Sequence, residues 1–506
     1  MSTVAPPDQS RQKILRHLAQ HEAAGNRIYY ERHRPEETIL YQLVQEHIET
    51  FFAQVETETG SGLPDFVKDE FDAFLECGIL AHGFLRLRCT DCAHEKLVAF
   101  SCKRRGFCPS CGGRRMAQTA AHLVDHIIPR VPVRQWVISL PIPLRYLLAA
   151  HPHLLTPVLQ VIHRAISTFL IKQTGLKRVE AQTGAITLIQ RFGSAANLNI
   201  HLHCLVLDGV YRIQNDVPEF HRMKTPTIEQ LQTLLSQIIK RIMKALTRHG
   251  ALTEDEGMTY LAEMETDAAL SPLQSAACTY RIALGPRAGQ KVLTLKTVSV
   301  QEIQPQPGSK CCVNAQGFSL HAGVRCAMNQ RKELEHLCRY ITRPAIANER
   351  LTLNSAGKVV LTLKTPYRDG TTHIVLSPLE FMQRLAALVP RPRLNLIRFH
   401  GVLAPNAKLR AEIIPSGQKT KSKPSDANDD APQSVTSTSV CISWARLLKR
   451  VFDIDIEHCP HCGGALKIIA AILESGAITK ILDHLGLPTR APPRSPAQIF
   501  DPFEPT

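Results

Sequence analysis

Leu198 to Leu207 reads LNIHLHCLVL, and its apolar and polar residues alternate with the period of a β-strand rather than a helix. The alternation places Leu198, Ile200, Leu202, Cys204 and Val206 on one face and Asn199, His201 and His203 on the other. Two imidazoles two residues apart on a strand project side by side and can reach one divalent cation, whereas on a helix they diverge. A His-x-His pair is by itself equally well the half-exposed face of a sheet. Its meaning depends on what the rest of the chain brings to that surface.

Working outward, a second alternating run, Ala185 to Phe192, precedes this strand across a short turn, and Trp136 to Leu140 is a third strand candidate. Strands joined by short turns fit an antiparallel sheet. A helix is expected from about Leu154 to Gln173, and Thr227 with Gln230 forms a capping box ahead of LQTLLSQIIKRIMKAL, which Gly250 stops. The segment VVLTLKTPYRDGTTHIVL reads as a hairpin turning near Asp369-Gly370, followed by a second capping box, Ser377-Pro378-Leu379-Glu380. Residues 38 to 55, and DEFDAFLECGIL from Asp69, carry apolar positions at helical spacing. The expected class is α+β.

Six units are expected in order: an N-terminal helical region (1–76), a four-Cys zinc module (77–125), a central antiparallel-sheet domain with flanking helices (126–410), a flexible linker (411–439), a small Cys-containing C-terminal unit (440–486) and a disordered tail (487–506). At 506 residues with 44% hydrophobic and 21% charged content, the chain is long enough for several cores and is not wholly disordered. The balance of 60 Lys and Arg against 45 Asp and Glu suits a partner that is a polyanion. A membrane partner is disfavoured, because no run of eighteen apolar residues occurs and the N-terminus lacks a signal-like apolar core, so a cytoplasmic protein is expected.

Fifteen cysteines in a large unsignalled chain, clustered as C-x-x-C pairs, point to metal rather than disulfides. Cys89, Cys92, Cys108 and Cys111 have the spacing of two knuckles converging on one structural zinc ion. Cys102 is an odd thiol that could replace one of them. Around them Arg86, Arg88, Lys103, Arg104, Arg105, Arg114 and Arg115 form a basic patch expected to contact DNA phosphates. Cys459 and Cys462, between His458 and Gly463-Gly464, offer a possible second zinc half-site, with Cys441 or His484 as candidates to complete it. A redox role for this Cys-Pro-His-Cys is disfavoured by the absence of a thioredoxin-like surrounding pattern.

RKELEHLCRYITRP reads as a helix with Leu334, Leu337 and Ile341 inward, ending before Pro344, and Tyr340 flanks the apolar stripe. Three segments in order, FSCKRRGFCPSCGGRRM (Phe100 to Met116), NLNIHLHCLVLDGVY (Asn197 to Tyr211) and LCRYITRPAI (Leu337 to Ile346), resemble the zinc-binding-domain-containing rolling-circle insertion-sequence transposases of the HUH endonuclease superfamily. The likeness extends from about residue 70 to 410 and includes the HCPHCGG segment.

That resemblance implies an HUH-type nuclease domain in which His201 and His203 bind a divalent metal, Mg2+ or Mn2+, and Tyr340 attacks a DNA phosphate. Softness alone would let imidazoles take zinc, copper or iron. Gln190 and His336 are the candidates for a third ligand. Two-tyrosine members carry tyrosines four residues apart; here His336 holds the earlier position, so the chain resembles the single-tyrosine branch. The implied function is transposition: nicking and rejoining single-stranded DNA element ends and target through a 5′-phosphotyrosine. Two alternatives stand beside it, a plasmid-type replication initiator and a zinc-dependent DNA-binding protein without cleavage activity.

Overall fold

The computed structural model describes residues 28–29, 31–214, 217–297, 311–415, 444–452 and 454–498. Helix α1 (Ile39–Thr59) starts at Thr38, whose side chain accepts the Tyr41 N–H, and stops at Gly60 in the left-handed region. Helix α2 (Asp65–Glu76) packs beside it, and Phe51, Phe71, Phe74 and Phe107 form a buried aromatic cluster between them and the following segment. A hairpin of β1 (Phe84–Cys89) and β2 (Glu95–Ala99) then leads to α3 (Pro109–His122), which opens with proline at its first turn.

The central domain begins with β3 (Val133–Ser139), α4 (Ile142–Ala150) and α5 (Leu155–Thr174), followed by β4 (Gly184–Phe192) and β5 (Leu198–Leu207). The capping box at Thr227 and Gln230 forms as expected at the head of α6 (Ile228–Arg248). Next come β6 (Cys312–Ala315), β7 (Phe318–His321) and α7 (Arg331–Thr342). The expected hairpin is β8 (Val359–Thr362) with β9 (Thr371–Leu376), and the Ser377–Glu380 capping box starts α8 (Pro378–Leu388) ahead of β10 (Ile397–Gly401).

The main sheet is antiparallel in the order β6-β7-β3-β5-β4-β10, with Arg325–Cys326 also pairing on β3. Strand β5 is therefore interior. On one face Ile200, Leu202, Cys204 and Val206 enter a large core with α1, α5, α6 and α8. On the other, Ile186, Leu188, Leu205 and Leu207 pack under α3, the π-turn Leu123–Ile127 and α7. The histidines lie on this second face, the one that the tyrosine helix covers. Helix α5 is apolar enough to span a membrane by composition, but its apolar residues fill the core.

The C-terminal segment is not a separate tethered unit. Beyond α9 (Trp444–Phe452), strand β11 (Leu466–Ile472) adds to the hairpin in the order β11-β1-β2, and α10 (Ser475–His484) buries Ile478 and Leu482 against Leu80 and Phe84. The apolar edge of β1 supplies the reason, since it offers a partner strand to any chain that reaches it. The expected disordered tail follows a defined course over residues 487–498: Gln45 donates to the Pro493 carbonyl, the Gln498 N–H to Thr50, and Arg494 pairs with Asp72 at 2.8 Å. The central part of the expected linker, and Cys441, lie outside the described residues.

On the core side of the sheet, His163 of α5 stacks on His400 of β10 with ring centroids 3.3 Å apart. Burial pushes both imidazoles below their ordinary value, His400 to about 4. Both are neutral when folded and titrate near 6.5 when unfolded, so the unfolded chain binds more protons below that pH. Stability should be complete above pH 6.5 and fall toward pH 4, by at most about 1.4 kcal/mol per pH unit for each ring, and by less for the half-exposed His400. Urea midpoints measured across that window should show a shallower fall in His400→Phe.

Candidate functional site

The cysteines form two clusters of four, Cys77 with Cys102, Cys108 and Cys111, and Cys89 with Cys92, Cys459 and Cys462. The single quartet expected from spacing is thus divided, for a geometric reason. Cys89 and Cys92 lie at the tip of the β1–β2 hairpin, while Cys77 and Cys102 flank its base, where the Gly78 N–H donates to the Phe100 carbonyl. A six-residue strand spans about 20 Å, too far for tip and base to share an ion. Of the two candidates named to complete Cys459 and Cys462, His484 is exposed on α10 and outside the cluster; Cys89 and Cys92 take that part.

Both clusters fit zinc. Sulfurs held at about 2.3 Å from one ion stand roughly 3.7 Å apart in a tetrahedron. In the first cluster Cys77 to Cys111 is 3.7 Å, Cys77 to Cys108 3.7 Å and Cys102 to Cys111 3.4 Å. In the second, Cys89 to Cys462 is 3.4 Å and Cys92 to Cys459 3.6 Å. Backbone N–H groups point at the sulfurs, from Cys102 to Cys77, Lys103 to Cys111 and Gly464 to Cys462. Backbone N–H groups of Cys92 and Asp91 draw the Cys89 thiol down to about 7, while contact with the other thiols of the cluster pushes Cys92 and Cys462 up. A thiolate such as that of Cys89 is what a metal requires.

The second constellation stands on β5. Register sets His201 opposite Ser139 and Gln190, and His203 opposite Val137 and Leu188. The two rings are 4.8 Å apart between centroids. His201 donates Nδ1–H to the Asn199 carbonyl, which leaves Nε2 with a lone pair. His203 Nδ1 lies 2.8 Å from the side-chain amide of Gln135, and its Nε2 is buried without a partner. With the amide turned so that its oxygen faces the ring, Gln135 accepts Nδ1–H and frees His203 Nε2 as well. The orphaned nitrogen and this donor set fit a divalent cation. Burial lowers both imidazoles, His203 to about 3, so both are neutral at pH 7.

Tyr340 is exposed near the end of α7, which packs on the same face of the sheet. The Gln190 amide donates to the Ile341 carbonyl at 2.7 Å, tying the residue after Tyr340 to the strand beside His201. Arg343 stacks 4.5 Å from the Tyr340 ring centroid and 5.7 Å from that of Phe192, and Lys364 sits 4.2 Å from the Tyr340 ring. The charge on Arg343 also contributes to lowering both histidines. One guanidinium therefore acts on the phenol and on the imidazole pair together. His336, one turn earlier, is exposed, and among the described residues no third His, Cys, Asp or Glu joins His201 and His203.

Several residues of the expected basic patch have intramolecular work. Arg86 makes two bonds to Glu95 (2.7 and 2.9 Å), Arg104 faces Asp69 at 3.6 Å, Arg105 donates to the carbonyls of Leu394 and Arg391, and Arg115 to those of Arg104 and Lys103. Arg88 and Lys103 are exposed, and Arg114 is half-buried. Sequence reading missed Gln135 and Arg343. Gln135 shares the period-two face of its strand with Val137 and Ser139, and Arg343 follows Tyr340 by one helical turn.

Residues 184–410, from β4 through β10, match the Y2_Tnp transposase family model, and residues 43–140 match that of the IS91 transposase zinc-binding domain. The chain belongs to the zinc-binding IS91-type transposases. No curated protein and no solved structure matches it. The transposase is a DNA-processing enzyme that carries structural zinc. Its first cysteine cluster falls wholly within the matched zinc-binding domain, whereas the second borrows Cys459 and Cys462 from beyond both matched regions.

With both clusters filled, the purified transposase should hold about two zinc ions per chain. The double substitution Cys459→Ser and Cys462→Ser should remove one, measured by a chromogenic chelator after unfolding, and should expose residues 444–498 to trypsin. Retention of both ions in that variant would contradict the second cluster.

Proposed function

We propose that the transposase nicks and rejoins single-stranded DNA through a 5′-phosphotyrosine at Tyr340, with a divalent cation held by Nε2 of His201 and His203. The supporting observation is the placement of Arg343, which stacks on the Tyr340 ring while its charge acts on both histidines. Nucleophile, cationic side chain and ligand pair then share one surface. When bound, Mg2+ or Mn2+ would supply positive charge to the non-bridging phosphate oxygens.

In the proposed step Tyr340 Oη bonds to phosphorus and the bond from phosphorus to the 3′ oxygen breaks. The phenol loses its proton as the departing oxygen gains one, leaving a free 3′ hydroxyl. Arg343 and Lys364, already against the ring, lie where the phosphate's charge arrives. Gln190 acts as a positioning residue through the Ile341 carbonyl, and Gln135 orients His203. The phosphotyrosine retains the energy of the broken bond, so a new 3′ end can reverse the step without a nucleotide cofactor. A single tyrosine per chain suits sequential cleavage and rejoining of element ends and target.

Incubated with single-stranded element-end DNA and Mn2+, the wild-type chain should give a covalent adduct that survives denaturing electrophoresis. Tyr340→Phe should abolish it, and His203→Ala should slow it by at least about a hundredfold, the scale on which ligand loss depresses metal-assisted chemistry. An undiminished adduct in Tyr340→Phe rules the nucleophile out. Intact DNA binding with no cleavage under any divalent metal would favour a zinc-dependent binding protein.

A further inference from the structure

The turn between α4 and α5 and the segment 391–398 that enters β10 wall a cleft of about 510 Å³. His151, His153, Arg391, Arg393 and Arg398 line it, and Glu265 is its one carboxylate. Nε of Arg391 and of Arg398 is shielded from water and has no hydrogen-bond partner. Behind the lining, Arg191 is buried with its own Nε unpartnered. Arg105 of the zinc module props the wall from below by donating to the carbonyls of Leu394 and Arg391. Thr156, in the first turn of α5, also lines the cleft.

Cations gathered this closely repel one another, and burial raises the cost of each. Arg191 shows it: burial, with Arg391 and Arg105 nearby, lowers it to about 10. An anion with several charges in a row relieves the repulsion. We propose that this cleft binds the phosphate backbone of single-stranded DNA. The proposal rests on the reading of the chain as a single-strand nuclease, and it locates where the strand runs. The wall of the cleft is joined to β4, since the Ile189 N–H donates to the Leu396 carbonyl at 2.8 Å, one residue before Gln190, the cross-strand neighbour of His201. Arg398 alternates with His400 on β10 and so faces the core side of the sheet; the phosphate track therefore lies across the sheet from His201 and His203 and meets their end of it at the Leu396 bond. It adds a DNA contact to the zinc-module patch, of which Arg105 and Arg115 also donate to backbone carbonyls.

The test uses the full-length, zinc-loaded chain carrying Tyr340→Phe, so that binding is read without cleavage, and a fluorescent oligothymidylate followed by anisotropy over a range of salt. Each phosphate contact on a single strand contributes about 0.7 to the slope of log affinity against log salt, equivalent to roughly fivefold in affinity near 0.1 M salt. Arg393→Gln with Arg398→Gln should therefore flatten the slope by about 1.4. Glu265→Lys, at an exposed position where folding is not at issue, should steepen it by about 0.7. Unchanged slopes in both variants overturn the proposal, as does a loss confined to duplex or RNA with oligothymidylate unaffected. Adduct formation by the chain with its native Tyr340 is scored separately, so failed nicking with these slope changes present would remove the nuclease reading and leave the cleft.

Discussion

Helix α3 can lie against the tyrosine helix because Gly112 has no side chain. A Cβ at that position would stand 2.7 Å from Pro344 Cβ and 3.3 Å from its Cα, distances that packed carbon atoms do not reach. Gly112 follows Cys111, a member of the first thiol cluster, and Pro344 ends the segment begun by Tyr340. The zinc-binding module therefore does more than present a basic surface. It forms part of the roof over the second face of the sheet and limits where α7 can sit. From below, Gln190 fixes the end of the same helix through the Ile341 carbonyl. From the side, Arg450 of α9 bonds Glu335 and Asp125.

This clamping explains how an exposed tyrosine can still be well placed. Tyr340 has almost half its surface open to solvent, yet Ile341 beside it is buried in the apolar cluster under the helix. The imidazoles beneath are in the opposite condition. His203 is buried and His201 half-buried, and burial keeps both uncharged, the state in which a histidine can give a lone pair to a cation. In the proposed reaction, an open phenol would meet DNA while enclosed imidazoles would hold the metal.

The strands β4 and β5, the two capping boxes and the tyrosine helix are where the sequence puts them, because period-two alternation and cap chemistry act between near neighbours. The His201 and His203 face was legible for the same reason. Which cysteines meet was not. Four residues spaced as two knuckles enclose a hairpin, and only its folded length shows that tip and base are different places. Nor could spacing reveal that Cys459 pairs with a thiol 367 residues away. The basic run misled differently: charge counts do not distinguish an arginine that faces solvent from one, such as Arg105, that ties carbonyls of a distant loop.

The second thiol cluster joins positions 373 residues apart, and the strand pairing of Ile28–Tyr29 with Ile454–Asp455 brings the two ends of the described chain together nearby. Such contacts form late, since the whole intervening chain must first be ordered. During synthesis Cys89 and Cys92 emerge first and wait as an unfinished half-site until Cys459, 367 residues after Cys92, has followed. A product that stops short of Cys459 keeps His201, His203, Tyr340 and the first cluster but cannot close this ring, so a metal held there reports that synthesis has passed that point.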